Sequence, residues 1–185
     1  MQTCEGNLLR EYNLLVACPR DRERAAKSEV QYFIGDLLGD EDLHISRTPI
    51  SGLISCKTSL DPFEVVHRLR EFAIENPYQF RYSIRFTPFE YCVESNLETI
   101  AEVARRLLEK ISEDETFRVT VRRRHTNLEH MEVVEVVAHE IPRTVNLDNP
   151  DKNIWVEIVG EWTGMAILKE EDDILSIMTM RDDQY

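Results

Sequence analysis

The stretch Phe117–His125, which reads FRVTVRRRH, decides how this chain is interpreted. Side chains in an extended strand alternate between two faces, so Phe117, Val119 and Val121 would share one face. The opposite face would carry polar and basic side chains, namely Arg118, Thr120, Arg122 and Arg124. The stretch therefore predicts a strand with one apolar face for the core and one basic face.

A helix is expected directly after this strand. Asn127 has a side chain typical of a helix start, and the apolar spacing that follows predicts a helix to about Ile141, closed by Pro142. Free N–H groups at a helix start and guanidinium groups both attract phosphate. The segment therefore predicts a phosphate-binding surface made of Arg118, Arg122, Arg123, Arg124, His125 and Asn127.

The same stretch has a second interpretation, an edge strand whose arginines are solvated or paired with carboxylates. The predicted helix carries Glu129, Glu132 and Glu135, which could neutralise the preceding arginines. The sequence is compatible with both interpretations.

The charge of the chain is strongly acidic, with 35 acidic and 22 basic residues among 185 and a formal net charge of −13. Such a charge argues against nonspecific nucleic-acid binding, because phosphate contacts need local positive potential. The cations are 17 arginines and 5 lysines. Arginine presents a planar fork that suits phosphates and bases, and equally suits internal ion pairs.

Several sequence features of membrane proteins, metal sites and enzymes are missing from this chain. No apolar run approaches the roughly 20 residues that span a bilayer, so we expect a cytoplasmic protein without a membrane partner. Four widely spaced cysteines without a CxxC pair predict free thiols and no zinc site. No phosphate-binding loop, nucleophile elbow or HExxH helix is present. We therefore expect a noncatalytic protein with no metal and no cofactor; an enzyme that uses His125 or a cysteine remains an alternative.

Residues 1–86 are predicted to form a ferredoxin-like βαββαβ domain. The expected elements are a strand over Leu8–Cys18, a helix from Pro19 to Leu38, strands over Leu43–Arg47 and Gly52–Lys57, a helix capped by Asp61 and ended by Asn76, and a strand over Phe80–Phe86. The first turns of the first helix carry Arg20, Arg22, Arg24 and Lys27, where cations oppose the helix dipole.

Residues 87–170 are predicted to form a second α/β domain with a mixed sheet, so the whole chain is α+β. Besides the elements above, we expect a helix from a Ser95–Glu98 capping box to Ile111, and strands over Val145–Leu147, Ile154–Val159 and Trp162–Leu168. Residues 171–185 would be an acidic C-terminal strand or tail, in which Ile174–Met180 adds a last strand or pairs with a partner.

Five segments of the second half resemble a THUMP domain, with their order and spacing intact. They are RFTPFEYCVES, LETIAEVARRLLEK, FRVTVRRRH, VAHEIPRTVNLDNPD and NIWVEIVGEWTGMAIL. The resemblance covers about residues 85–168 and is greatest to the stand-alone THUMP proteins that assist tRNA cytidine acetyltransferase. In this family a ferredoxin-like domain commonly precedes the THUMP domain.

The resemblance implies tRNA binding, largely through the acceptor stem and the 3′ end. The chain would be an adaptor that presents tRNA to a separate enzyme, a tRNA cytidine acetyltransferase that forms 4-acetylcytidine. Arg85 and Arg143 are candidate flanking contacts, and Lys152 in the family-like NPDK turn is another. The alternatives are an RNA-binding accessory of thiolation or methylation, and a protein-interaction or oligomeric scaffold; the sequence leaves a homodimer open.

Overall fold

The computed structural model of the chain describes residues 11–182. They form two compact units: residues 11–88 with 171–182 make the N-terminal unit, and residues 89–170 make the C-terminal unit. Cys4, the predicted strand residues before position 11 and the tail from position 183 lie outside the described residues. Within residues 11–182, no helix is both long and apolar enough to cross a membrane.

The N-terminal unit combines an antiparallel sheet with two main helices. In chain order it contains β1 (Leu14–Ala17), α1 (Glu23–Val30), β2 (His44–Arg47), β3 (Leu53–Lys57), α2 (Pro62–Glu75) and β4 (Arg85–Pro88). α1 continues as a π-helix over Gln31–Leu37, and a 3₁₀ turn at Pro77–Gln79 follows α2. The spatial order β4-β1-β3-β2 is the ferredoxin-like arrangement, which confirms the prediction.

An aromatic cluster fixes the end of α1 against the sheet. Phe80 stacks on Phe33 with ring centroids 4.2 Å apart, and it meets Phe86 edge-on at 6.2 Å. All three side chains are at most 1% exposed. Aromatic pairs of this kind contribute about 0.5–1.5 kcal/mol beyond their buried area.

The prediction of a strand over Phe80–Phe86 is wrong for its first five residues, because β4 begins only at Arg85. The carboxylate of Glu29 on α1 accepts hydrogen bonds from the backbone N–H groups of Arg81, Tyr82 and Ser83, and from the Ser83 hydroxyl. These N–H groups are therefore used by a side chain and take no part in a sheet ladder.

The C-terminal unit is a mixed sheet with helices, as predicted, and the sheet has five strands. In chain order it contains β5 (Tyr91–Glu94), α3 (Leu97–Leu107), β6 (Thr116–Arg124), α4 (His130–His139), β7 (Thr144–Val145), β8 (Lys152–Val159) and β9 (Trp162–Ile167). The spatial order is β5-β9-β8-β6-β7. β6 runs parallel to β7 and β8, and the pairs β8–β9 and β5–β9 are antiparallel.

The predicted alternation along β6 is confirmed. Phe117 and Val121 are buried in the core that α3 and α4 cover, and Val119 packs against that core. The register of β6 with β8 places Arg122 beside Glu157, on the opposite face. One face of the strand therefore builds the core, while the other presents its basic side chains along the sheet.

Two predictions at the start of this unit need correction. The sequence analysis missed β5, whose four residues pair with β9. The cap of α3 is Asn96 and not Ser95, because the Asn96 side chain accepts the N–H of Thr99 at 2.9 Å. Ser95 is instead tied to Thr163 by a hydroxyl–hydroxyl hydrogen bond of 2.9 Å.

The C-terminal segment returns to the N-terminal unit as α5 (Glu170–Asp173), β10 (Leu175–Ser176) and α6 (Ile177–Asp182). β10 pairs antiparallel with β4 and makes the fifth strand of that sheet. The predicted strand is therefore only two residues long and a helix replaces its second half. Ile177 and Met180, three positions apart, both pack on the core, which a helix achieves and an alternating strand does not.

Candidate nucleic-acid interface

The strand β6 ends at a sharp change of backbone direction. His125 has a φ of +53°, in the left-handed region that L-residues rarely adopt, and a loop then leads to α4. The prediction that Asn127 begins the helix is wrong, since α4 begins at His130. Glu132 in its first turn accepts the N–H of Glu129 at 3.3 Å, and this makes Glu129 the N-cap, two residues beyond Asn127.

His125 and Asn127 instead line a surface pocket of about 630 Å³, which we call the Trp162 pocket. It lies next to the end of β6, the turn between β8 and β9, and the start of α3. Three structural features form its wall: the residues after β6, the turn at Gly160 and the start of α3 at Asn96. The half-buried Trp162 supplies an aromatic ring, and Glu94 and Glu161 supply two carboxylates.

The chemistry of this pocket suits a nucleobase better than a phosphate. An indole ring can stack on a base, and imidazole and amide groups can donate or accept hydrogen bonds at its edge. Carboxylates repel phosphate but accept hydrogen bonds from the exocyclic amino group of cytosine. Glu94 and Glu161 are therefore compatible with an unpaired base, and incompatible with a site built only for the RNA backbone.

The basic face of β6 is largely used inside the protein. The guanidinium carbon of Arg122 lies 5.1 Å from the ring centre of Trp155, a residue that is 1% exposed. Arg124 pairs with Glu157 at 3.3 Å, and Glu157 is only 4% exposed. Both arginines thus neutralise or cover buried groups of β8.

Other predicted cations of this unit also have internal partners. Arg118 donates to the backbone oxygen of Leu147 at 3.0 Å. Arg143 donates to the backbone oxygens of Ile111 and Ser112, which follow the 3₁₀ turn over Leu108–Lys110 at the end of α3. These contacts give both side chains a place in the fold.

Arg123 and Lys152 are held more loosely. Arg123 approaches the exposed Glu129 at 3.8 Å, and Lys152 approaches Glu115 at the same distance. Exposed pairs at such distances contribute little to stability. The adjacent Asp151 is better fixed, because hydrogen bonds from the N–H and the hydroxyl of Thr116 lower its pKa.

The remaining predicted contact, Arg85, lies on β4 of the N-terminal unit, opposite Ser176 of β10. The structure thus brings two predicted residues, His125 and Asn127, into one pocket. The sequence analysis missed Asn96 and Trp162. An aromatic residue directly after the glycine turn at positions 160–161 was a signal that could have indicated Trp162.

Two of the cysteines, Cys18 and Cys56, are buried. Burial raises the pKa of the Cys18 thiol to about 11, assisted by the charge of Glu23, and burial raises that of Cys56 to about 12. Thiols with such pKa values stay protonated near neutral pH and are poor nucleophiles. Among residues 11–182, no group of three or more His, Cys, Asp and Glu side chains is placed to hold a metal ion.

The described residues thus form an α+β fold that combines a ferredoxin-like unit with a mixed-sheet unit. Residues 94–168 match the model of the THUMP domain. The predicted THUMP domain is therefore confirmed for this segment, which is less than half of the chain. No curated protein matches the chain.

Solved structures share the fold over most of the chain. PH1313 from Pyrococcus horikoshii Ot3 is 21% identical with a TM-score of 0.61, over 88% of this chain and 54% of that one. A 4-thiouridine synthetase bound to RNA and ATP is 15% identical with a TM-score of 0.56, over 90% and 42%. TrmN from Thermus thermophilus is 16% identical with a TM-score of 0.52, over 84% and 45%. This chain spans about half the length of these proteins or less.

Proposed function

We propose that this chain is a noncatalytic tRNA-binding adaptor that presents tRNA to a separate modifying enzyme. The observation that carries the proposal is the Trp162 pocket, which lies within the segment that matches the THUMP domain. A protein with the same fold is an RNA complex, the 4-thiouridine synthetase. The raised pKa values of Cys18 and Cys56 argue against these two thiols as nucleophiles.

The part of tRNA that fits the pocket is an unpaired end. The 3′ terminus is single-stranded, so its bases are free to stack on an aromatic ring and to expose their edges. The amino group of cytosine can donate to Glu94 or Glu161, while the Trp162 ring covers the face of the base. We therefore propose that the pocket holds a base of the tRNA 3′ end.

The test is a double-mutant comparison of protein and RNA. Replacing Trp162 with alanine should weaken binding of intact tRNA about 5- to 100-fold, because base–aromatic stacking contributes about 1–3 kcal/mol per base. Fluorescence anisotropy with intact tRNA and with tRNA trimmed of its 3′ nucleotides measures the effect. Trimmed tRNA should bind wild type and variant equally.

Trp162→Phe serves as the control, because phenylalanine keeps a ring for stacking. It should retain most of the affinity, and thermal melts of both variants should show that the fold is kept. If the alanine variant binds intact tRNA as wild type does, the pocket is not the RNA site. If wild type shows no tRNA affinity at low salt, the adaptor proposal fails and a protein-interaction scaffold is favoured.

The modification served is a separate part of the proposal. The greater resemblance to the THUMP proteins that assist cytidine acetylation favours 4-acetylcytidine formation with a tRNA cytidine acetyltransferase as partner. Nucleoside analysis of total tRNA from a deletion strain tests it. Loss of 4-acetylcytidine would support acetylation, while loss of thiouridine or of a methylated guanosine would assign the adaptor to thiolation or methylation.

A further inference from the structure

The N-terminal unit carries a set of cations that the fold does not use. They are all exposed and lie just before α1, along α1 and on β2: Arg20, Arg22, Arg24, Lys27 and Arg47. Within residues 11–182, none of their side chains forms an ion pair or a hydrogen bond. Their positive charge therefore remains available at the surface of an otherwise acidic chain.

The acidic residues of α1 form no ion pair with these cations within residues 11–182, because loop N–H groups hold their carboxylates. Glu23 accepts the N–H of Gly52 at 2.6 Å and the hydroxyl of Ser51 at 3.4 Å, in the turn between β2 and β3. Glu29 accepts the N–H groups of the loop before β4. The carboxylates of Glu23 and Glu29 are thus bound by loops, while the cations are exposed to solvent.

Three of the cations line one groove of about 500 Å³ between α1 and the edge strand β2, which we call the α1 groove. Arg24 and Lys27 stand three positions apart and so share a helix face, with Arg47 contributed by β2. Ser28, Gln31 and Ser46 add uncharged hydrogen-bonding groups, and Ile54 adds an apolar one. Glu23 also lines the groove, with its carboxylate held by the N–H of Gly52, so three cations face one carboxylate and the lining stays positive. No aromatic side chain lines this groove, in contrast to the Trp162 pocket.

We propose that the α1 groove is a second RNA contact, which holds the phosphate backbone of the tRNA; this inference rests on the proposed function. A row of cations without a stacking ring matches a row of phosphates and has nothing with which to identify bases. The groove would therefore add affinity and position the RNA, while the Trp162 pocket would select the unpaired end.

The experiment compares two triple variants of the full chain that lose the same charge. The test variant neutralises the groove cations: Arg24→Gln, Lys27→Gln and Arg47→Gln. The control neutralises two arginines and one lysine elsewhere on the same unit: Lys57→Gln, Arg68→Gln and Arg81→Gln. Both lower the net charge equally, so a general charge effect appears in both.

Affinity for tRNA is measured over a range of salt concentrations. Removing a phosphate contact lowers the slope of log K against log salt by about 1, so the test variant should lose about 2 to 3 in slope. Its affinity at low salt should fall on the order of tenfold or more relative to the control. The control should keep a slope within about 1 of wild type.

The outcomes separate this inference from the proposed function. Wild type that binds tRNA, with both triple variants weakened equally and with equal slopes, would overturn the groove and leave the adaptor proposal standing. A test variant that keeps its tRNA affinity but loses binding to poly-glutamate would also overturn it, because the groove would then serve an acidic protein. Absence of tRNA binding by wild type would end both.

Discussion

The two basic regions of this molecule differ in what their cations do. On β6 three arginines are consecutive in sequence. In the fold, Arg122 lies over the ring of Trp155 and Arg124 forms an ion pair with Glu157. On α1 the cations are interleaved with acids, yet Arg24 and Lys27 remain unpaired among the described residues and exposed. The arginines of β6, which are closer together in sequence, therefore contribute more to the fold than the cations of α1 do.

The reason lies in where each set of carboxylates finds its partners. Glu157 sits on a central strand and is nearly buried, so a cation beside it relieves the cost of desolvation. Glu23 and Glu29 find backbone N–H groups in loops, which satisfy them without any cation. A basic segment therefore indicates a nucleic-acid site only if the nearby carboxylates have partners other than its cations.

The largest expected effect concerns Glu29, which serves the backbone. Replacing it with alanine leaves the N–H groups of Arg81, Tyr82 and Ser83 without their acceptor, so the free energy of unfolding should fall by about 2–3 kcal/mol. Urea denaturation measures it, with the exposed Glu75→Ala as control, expected within about 0.5 kcal/mol of wild type. If both variants are equally stable, the carboxylates of α1 are not held by the loops as described.

A smaller effect is expected for a matched pair of arginines from the two regions. Arg124→Ala removes one partner of the nearly buried Glu157 and should cost about 1–2 kcal/mol of stability, since Arg124 itself is a third exposed. Arg24→Ala should change stability by less than about 0.5 kcal/mol. Thermal and urea unfolding of both variants gives the comparison, and equal losses would erase the distinction between the two regions.

This pair also changes how RNA-binding experiments on β6 are interpreted. The sequence alone predicts that replacing Arg122, Arg123 and Arg124 together removes RNA binding and keeps the fold. With two of them in contact with buried residues, we now expect such a variant to lose stability as well. Its affinity for tRNA would therefore report folding and binding together.

The fold was largely predictable because it depends on local patterns. Alternation fixed the faces of β6, and the capping carboxylate of Asp61 accepts the N–H groups of Phe63 and Glu64, as a helix start requires. The order of elements was enough to indicate a ferredoxin-like arrangement. Short elements without a clear period, such as β5, gave too little signal.

The site was less predictable because it depends on contacts between distant positions. Whether Arg124 is free depends on Glu157, 33 residues away, and the register of β6 on β8 sets that contact. The exposure of the α1 cations depends on Glu29 meeting a loop more than 50 residues later. Neither contact can be predicted from a local sequence pattern. The sequence therefore indicated the arginines of β6, which the fold uses for internal contacts.

Amide hydrogen exchange of the full chain, with and without saturating tRNA, tests the central claim most directly. The claim is that RNA contacts the α1 groove and the Trp162 pocket. We expect tRNA to slow exchange in residues 23–31 and 44–47, and again in residues 125–128 and 160–162. Unchanged exchange in all four segments under saturating tRNA, or protection confined to other parts of the chain, would contradict the account.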